Sequence, residues 1–177
     1  MGFSSSSLSL AVILGVLAYL LGVRCQRQPE LWRCLPRERR FGTIVACACL
    51  VWSAYHVCLM LEGDLVQWRI WVKMLVPVCT VLAYFFVDYL FTRALGGLLL
   101  LLVAQALHLA MAVHLPLRPL YSSGCYLVGV AAMFVVGWPW LFRDLLEKSA
   151  RSQPWRRACL GVLGASAAFF AVFAALR

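Results

Sequence analysis

The sequence predicts an all-α polytopic membrane protein, a compact bundle of about six transmembrane helices that forms one domain over residues 1–177. Hydrophobic residues make up 64% of the chain and charged residues 13%, whereas soluble domains average roughly 45–50% and about 25%. The mean hydropathy is +0.87. At roughly 20 residues per span, a chain of 177 residues has room for these helices and for no separate soluble domain.

The apolar runs of the chain give the helices in order. The first run follows four serines, has no basic residue ahead of it and no small-residue cleavage site after it, so we expect an uncleaved helix. The third begins with the interface anchors Trp68 and Trp71, and the fourth contains five consecutive leucines. The fifth ends near Trp138 and Pro139. The expected helices are about 8–23, 41–61, 68–92, 94–113, 120–142 and 158–176.

Basic residues concentrate in two connections, at 24–40 and 143–157. If the odd-numbered connections share one side, that side holds most of the 16 Lys and Arg residues. The positive-inside rule then places both basic loops in the cytoplasm and both termini outside it. A bacterial inner membrane suits this compact, asymmetrically charged chain. Each loop also contains tryptophan, which predicts contact with anionic lipids, although loops of this kind collect Arg and Trp for topology alone.

A row of polar residues follows one face of the third helix. The steps between its members are four, four, three, four and four residues, which keeps them on one side of a helix. Read functionally, Arg69 and Lys73 bind an anionic ligand head, Tyr84 and Asp88 complete the route, and Gln105 of the fourth helix joins them. Read structurally, the row is an interior seam of the bundle. The row comprises Arg69, Lys73, Pro77, Thr80, Tyr84 and Asp88.

Two histidines form the second candidate site. His56 and His108 lie at similar depths in the second and fourth predicted helices. Two imidazoles at matched depth are what a b-type haem requires, and Ala104 and Ala112 beside His108 leave room for the macrocycle. The alternatives are hydrogen bonds between helices, a metal site or a proton relay.

No catalytic signature occurs in the sequence, and enzymatic activity is left open. The eight cysteines contain no Cys-x-x-Cys pair and are expected to be mostly free, buried thiols. Phosphate loops, zinc helices and nucleophile elbows are missing as well. The expected partners are the bilayer and other membrane subunits, with no nucleic acid. The sequence therefore favours a small non-enzymatic membrane protein that is a subunit of an assembly or a binder or carrier of a lipid-like or anionic ligand. A haem-containing electron-transfer subunit is the alternative, and a membrane enzyme acting on lipid is third.

Overall fold

A computed structural model describes residues 3–20, 22, 39–61, 63–113 and 117–175, without the side chains of residues 63 and 64. These residues form seven α-helices and one short 3-10 helix, and they contain no strand. The all-α class predicted from the sequence is therefore confirmed. The first basic loop, apart from Arg39 and Arg40, lies outside the described residues, as do Cys25 and Cys34.

The helices follow each other with short connections. They are α1 (Phe3–Tyr19), α2 (Arg39–Met60), α3 (Arg69–Phe86), α4 (Leu90–Ala112), α5 (Arg118–Gly137), α6 (Pro139–Arg151) and α7 (Gln153–Ala175), with the 3-10 helix Gly63–Trp68 ahead of α3. Five helical segments are long and apolar enough to cross a membrane, and α1 is a shorter apolar helix. This set is compatible with a multi-pass membrane protein. The five segments are 39–60, 65–86, 90–112, 118–137 and 153–175.

Two differences from the sequence prediction change the arrangement of the helices, whereas other helix ends shift by at most five residues, as in α1, which was expected at 8–23. The third helix ends at Phe86 rather than near residue 92, because Val87 is extended and Tyr89 adopts the left-handed conformation, with φ of 55°. The stretch 143–157, expected to be a loop, is helical apart from Ser152, which is extended and separates α6 from α7. Proline lacks a backbone N–H and disfavours helical geometry in the residue before it, so Pro139 ends α5 at Trp138 and starts the separate helix α6.

Helix α4 lies at the centre of the bundle. It packs against α1, α2 and α5, while α7 packs along α1. Helix α3 is peripheral: it packs principally against α2, and none of its residues is buried. The hairpin of α2 and α3 is therefore the part of the described bundle with the least internal packing.

An aromatic cluster closes the core at one end. The Tyr121 ring of α5 lies 5.1 Å from the ring of Phe3 in α1, and 5.7 and 5.2 Å from Phe170 and Phe173 in α7, between centroids. The Tyr121 hydroxyl forms a 2.8 Å hydrogen bond with the hydroxyl of Ser7. One side chain thus ties three helices together.

The described charges divide between the two ends of the bundle. One end is formed by the start of α2, the turn between α3 and α4, α6 and the start of α7; we call it the basic face. The other end contains Arg69, Lys73 and Arg118. The described cations of the basic face are Arg39, Arg40, Arg93, Arg143, Lys148, Arg151, Arg156 and Arg157.

Gly42 sets the distance between α2 and α4. A Cβ atom at Gly42 would lie 2.7 Å from the backbone nitrogen of Phe91, which is closer than side-chain carbons approach a backbone. We expect Gly42→Ala to destabilise the protein by about 1–3 kcal/mol, because one of the two helices must shift. The measurement is the thermal unfolding midpoint in detergent micelles. Gly97→Ala is the matched control, since nothing lies within 4 Å of the added carbon; equal midpoints for the two variants would contradict the close contact.

Candidate functional site

An open groove runs between α2 and α3 on the outside of the bundle. It is widely open to the exterior, has a volume of about 810 Å³ and is almost wholly apolar. Its two threonine hydroxyls are used locally, since Thr43 donates to the Arg39 carbonyl at 2.7 Å and Thr80 to the Val76 carbonyl at 2.8 Å. The groove therefore fits a hydrocarbon chain better than a polar molecule. Its lining is Thr43, Ile44, Cys47, Ala48, Val51, Trp52 and Tyr55 of α2, with Thr80 of α3.

The groove follows from the sequence of α2. Its lining residues recur at spacings of three and four, which places them on one side of the helix. Cys47 and Ala48, which are small, lie between the larger Ile44 and Trp52. This gap in side-chain volume leaves a channel where α3 passes.

At the basic face, the groove ends at a cation, Arg39. The guanidinium carbon of Arg39 lies 5.9 Å from the centre of the Tyr84 ring, within the range of a cation–π contact. Arg39 is one helical turn before Thr43, and Tyr84 is one turn beyond Thr80, so the contact crosses from α2 to α3 just past the lining residues. The groove is thus an apolar channel with an exposed arginine at one end.

The opposite end of the groove is aromatic. Trp52 donates its indole N–H to Nε2 of His56 at 2.8 Å, and the Tyr55 ring meets His56 edge-on at 5.7 Å. Trp52 and Tyr55 also line the groove. Their rings bound the groove at the end that lies toward the C-terminus of α2.

Arg69 and Lys73, the two cations proposed from the sequence, have different surroundings in the structure. Arg69 donates to the Leu61 carbonyl at 2.7 Å, and so satisfies a carbonyl at the end of α2. Lys73 is exposed, on the flank of α3 that also carries Thr80 and Tyr84. It is eleven residues from Tyr84, about 16 Å along the helix, too far for one head group to meet both side chains.

The other predicted ligand residues lie apart from the groove lining. Asp88 is exposed in the turn between α3 and α4, at the basic face. Gln105 is half-buried on α4, three turns beyond Ala94, whose carbonyl accepts from the Cys49 thiol. It therefore lies on the side of α4 that packs against α2. Of the predicted set, Tyr84 is the residue found at the end of the groove.

The two histidines have different surroundings. Nε2 of His56 accepts the Trp52 hydrogen bond, so haem ligation through that nitrogen requires the bond to break. His108 is exposed on α4. Within the described ranges, no three His, Cys, Asp or Glu side chains converge as metal ligands.

The last candidate site is a set of buried polar side chains between α1 and α5. Ser7, Tyr121 and Cys125 are each 0% exposed. A substrate has no path to side chains enclosed in this way. Their observed role is to join α1 to α5.

Sequence reasoning missed Arg39 because it assigned that residue to a loop. The usable signal was the pair Arg39 and Arg40 directly before an apolar run. Arg39 and Arg40 lie one helical turn before the groove residues Thr43 and Ile44. The groove itself, however, depends on how α3 packs beside α2. No match was found when the chain was compared with protein-family models, curated proteins and solved structures.

Proposed function

We propose that this protein is a non-enzymatic multi-pass membrane protein that binds an anionic, lipid-like amphiphile in the groove between α2 and α3. One observation carries the proposal: an apolar channel ends at an exposed arginine. The hydrocarbon chain lies along α2, and the anionic head lies at Arg39.

The length of the groove suits one leaflet. Twelve residues separate Thr43 from Tyr55, about 18 Å at 1.5 Å per residue. The hydrocarbon core of a bilayer is roughly 30 Å thick, so each leaflet supplies about half of that. A chain that enters from the basic face and fills the groove therefore ends near the middle of the bilayer.

The head group that fits best is a phosphate. Arginine presents a planar fork of donors that matches phosphate oxygens, and it binds them more specifically than a lysine does. Arg40 is exposed beside Arg39, one turn before Ile44, and adds a second positive charge. At the other end, Arg69 donates one hydrogen bond to the Leu61 carbonyl, and Lys73 is a lysine, which lacks the planar fork of donors.

The charge distribution supports one orientation in the membrane. Placing the basic face in the cytoplasm follows the positive-inside rule and puts both termini outside. In a bacterial inner membrane, the groove then opens to the cytoplasmic leaflet. Anionic lipids of that leaflet are the ligands closest to Arg39.

The experiment compares the two ends of the groove. Purified wild-type protein and variants are incubated with phosphatidylglycerol or phosphatidylcholine, and native mass spectrometry counts the retained lipid. We expect Arg39→Ala to reduce retained phosphatidylglycerol about tenfold, since charged hydrogen bonds are worth roughly 1.5–3 kcal/mol. Lys73→Ala is expected to change little.

The variants also define the results that contradict the proposal. Arg118→Ala removes the same charge from the opposite end of the bundle and should retain lipid like the wild type. Loss of lipid in Lys73→Ala with full retention in Arg39→Ala would reverse the orientation of the head group. Full retention in all three variants would exclude an arginine-bound head.

A second candidate function rests on the exposure of helix α3, which packs principally against α2. None of its residues is buried, and Lys73 is exposed well inside the apolar segment 65–86. A lysine at that depth is costly in lipid and is stabilised by a carboxylate from a neighbouring helix. Another membrane subunit with an acidic transmembrane helix would therefore cover α3. Its test is co-purification with mass spectrometry, in which Lys73→Ala releases the bound subunit.

A further inference from the structure

A second surface of the protein, distinct from the groove, lies on α6 and the start of α7. We propose that this surface binds the anionic headgroup layer of the leaflet at the basic face. The proposal rests on how α6 is anchored, on the apolar side chains that it leaves exposed, and on cations that have no acidic partner within the described part of the chain. It does not depend on whether the groove holds a lipid.

The inner side of α6 is fixed to the bundle. Pro139, Leu146 and Ser149 are buried. Leu146 packs against Leu160 of α7, and the Ser149 hydroxyl lies 3.6 Å from the Cys159 sulfur. These contacts determine which side of α6 faces outward.

The outer side of α6 exposes large apolar side chains. Trp140 is 51% exposed and Leu141 53%, and Trp155 at the start of α7 is 55% exposed. Tryptophan and leucine at the end of a set of membrane-crossing helices lie at the depth of the lipid headgroups, where their apolar parts enter the acyl boundary. On a surface that contacts only water, exposed side chains of this size and polarity gain no such contact.

Ion pairs cancel part of the charge on this surface. Arg143 pairs with Asp144 at 2.9 Å, and Arg151 pairs with Glu147 at 2.7 Å.

Three further cations of α6 and α7 have no acidic partner among the described residues: Lys148, Arg156 and Arg157. Uncompensated cations beside exposed tryptophan and leucine complement an anionic lipid layer in both charge and polarity. Lys148 and Arg157 are exposed, so they are the residues expected to meet the headgroups.

Hydrogen exchange of α6 tests the proposal. The whole protein is placed in nanodiscs of phosphatidylcholine, with or without phosphatidylglycerol, and exchange is followed by mass spectrometry. We expect the backbone amides of residues 140–151 to exchange several-fold more slowly in the anionic discs. Added salt should reduce this protection, because it screens exposed charges.

The double variant Lys148→Ala/Arg157→Ala is expected to lose the protection. Neither side chain is part of the packing, so the variant should fold. Arg118→Ala and Arg39→Ala should both keep it, the first as a charge-matched control and the second because the groove is a separate site. Equal exchange in the two kinds of disc would overturn the proposal and favour an acidic soluble protein as the partner of this surface. Protection that survives the double variant would also overturn it.

Discussion

Tyr121→Ala is expected to destabilise the protein by about 3–5 kcal/mol, as truncations of buried aromatic residues generally do. The ring is fully buried and contacts aromatic rings of α1 and α7 from its position on α5. Its removal leaves a cavity where these helices meet. The thermal unfolding midpoint in detergent and the yield of monodisperse protein should both fall sharply.

Tyr121→Phe separates the ring from its hydroxyl. This variant retains the packing and loses the 2.8 Å bond to Ser7. Hydrogen bonds between membrane helices average about 0.6 kcal/mol and reach about 1.7 kcal/mol, so its loss of stability should be much smaller. Ser7→Ala should match it, because it breaks the same bond. If Tyr121→Ala were no less stable than Tyr121→Phe, the aromatic cluster would not hold the three helices together.

The fold class could be predicted because hydrophobicity along the chain is a direct record of burial or membrane contact. The break between α3 and α4 could not. Residues 87–92 contain no glycine or proline, and the turn depends on a left-handed tyrosine, Tyr89. The helix α6 was missed for a different reason: the density of charges in 143–157 concealed a buried side that includes Leu146 and Ser149.

The candidate site was only partly predictable. Helical spacing correctly places Lys73, Thr80 and Tyr84 on one flank of α3, because 3.6 residues per turn fixes that relation. The spacing of residues along one helix cannot show which residue of the neighbouring helix a side chain contacts. Arg69 reaches the last turn of α2 through an eight-residue separation in sequence, and Arg39 reaches Tyr84 across forty-five. Both contacts depend on how the hairpin closes, and they are the reason that Arg39 is the cation proposed to bind the head group.

Ala48→Trp is expected to abolish lipid binding in the groove and leave the fold intact. Ala48 lines the groove near its middle and is exposed, so an indole ring there enters the channel and not the packed core. It takes the volume that the hydrocarbon chain would occupy. We expect retained phosphatidylglycerol to fall at least tenfold, which corresponds to about 1.4 kcal/mol of lost affinity. Native mass spectrometry measures the retained lipid, and the unfolding midpoint should stay near that of the wild type.

Blocking the groove distinguishes chain binding from charge attraction, which Arg39→Ala alone does not. Ala131→Trp is the matched control, because Ala131 is an exposed alanine on α5 and lies outside the groove lining. If both tryptophan variants kept their lipid while Arg39→Ala lost it, the arginine would attract head groups at the surface and the groove would be empty of ligand. Loss in Ala48→Trp with retention in Ala131→Trp requires the hydrocarbon chain to lie along α2. Only that combination, together with loss in Arg39→Ala, gives an amphiphile held at both its head and its chain.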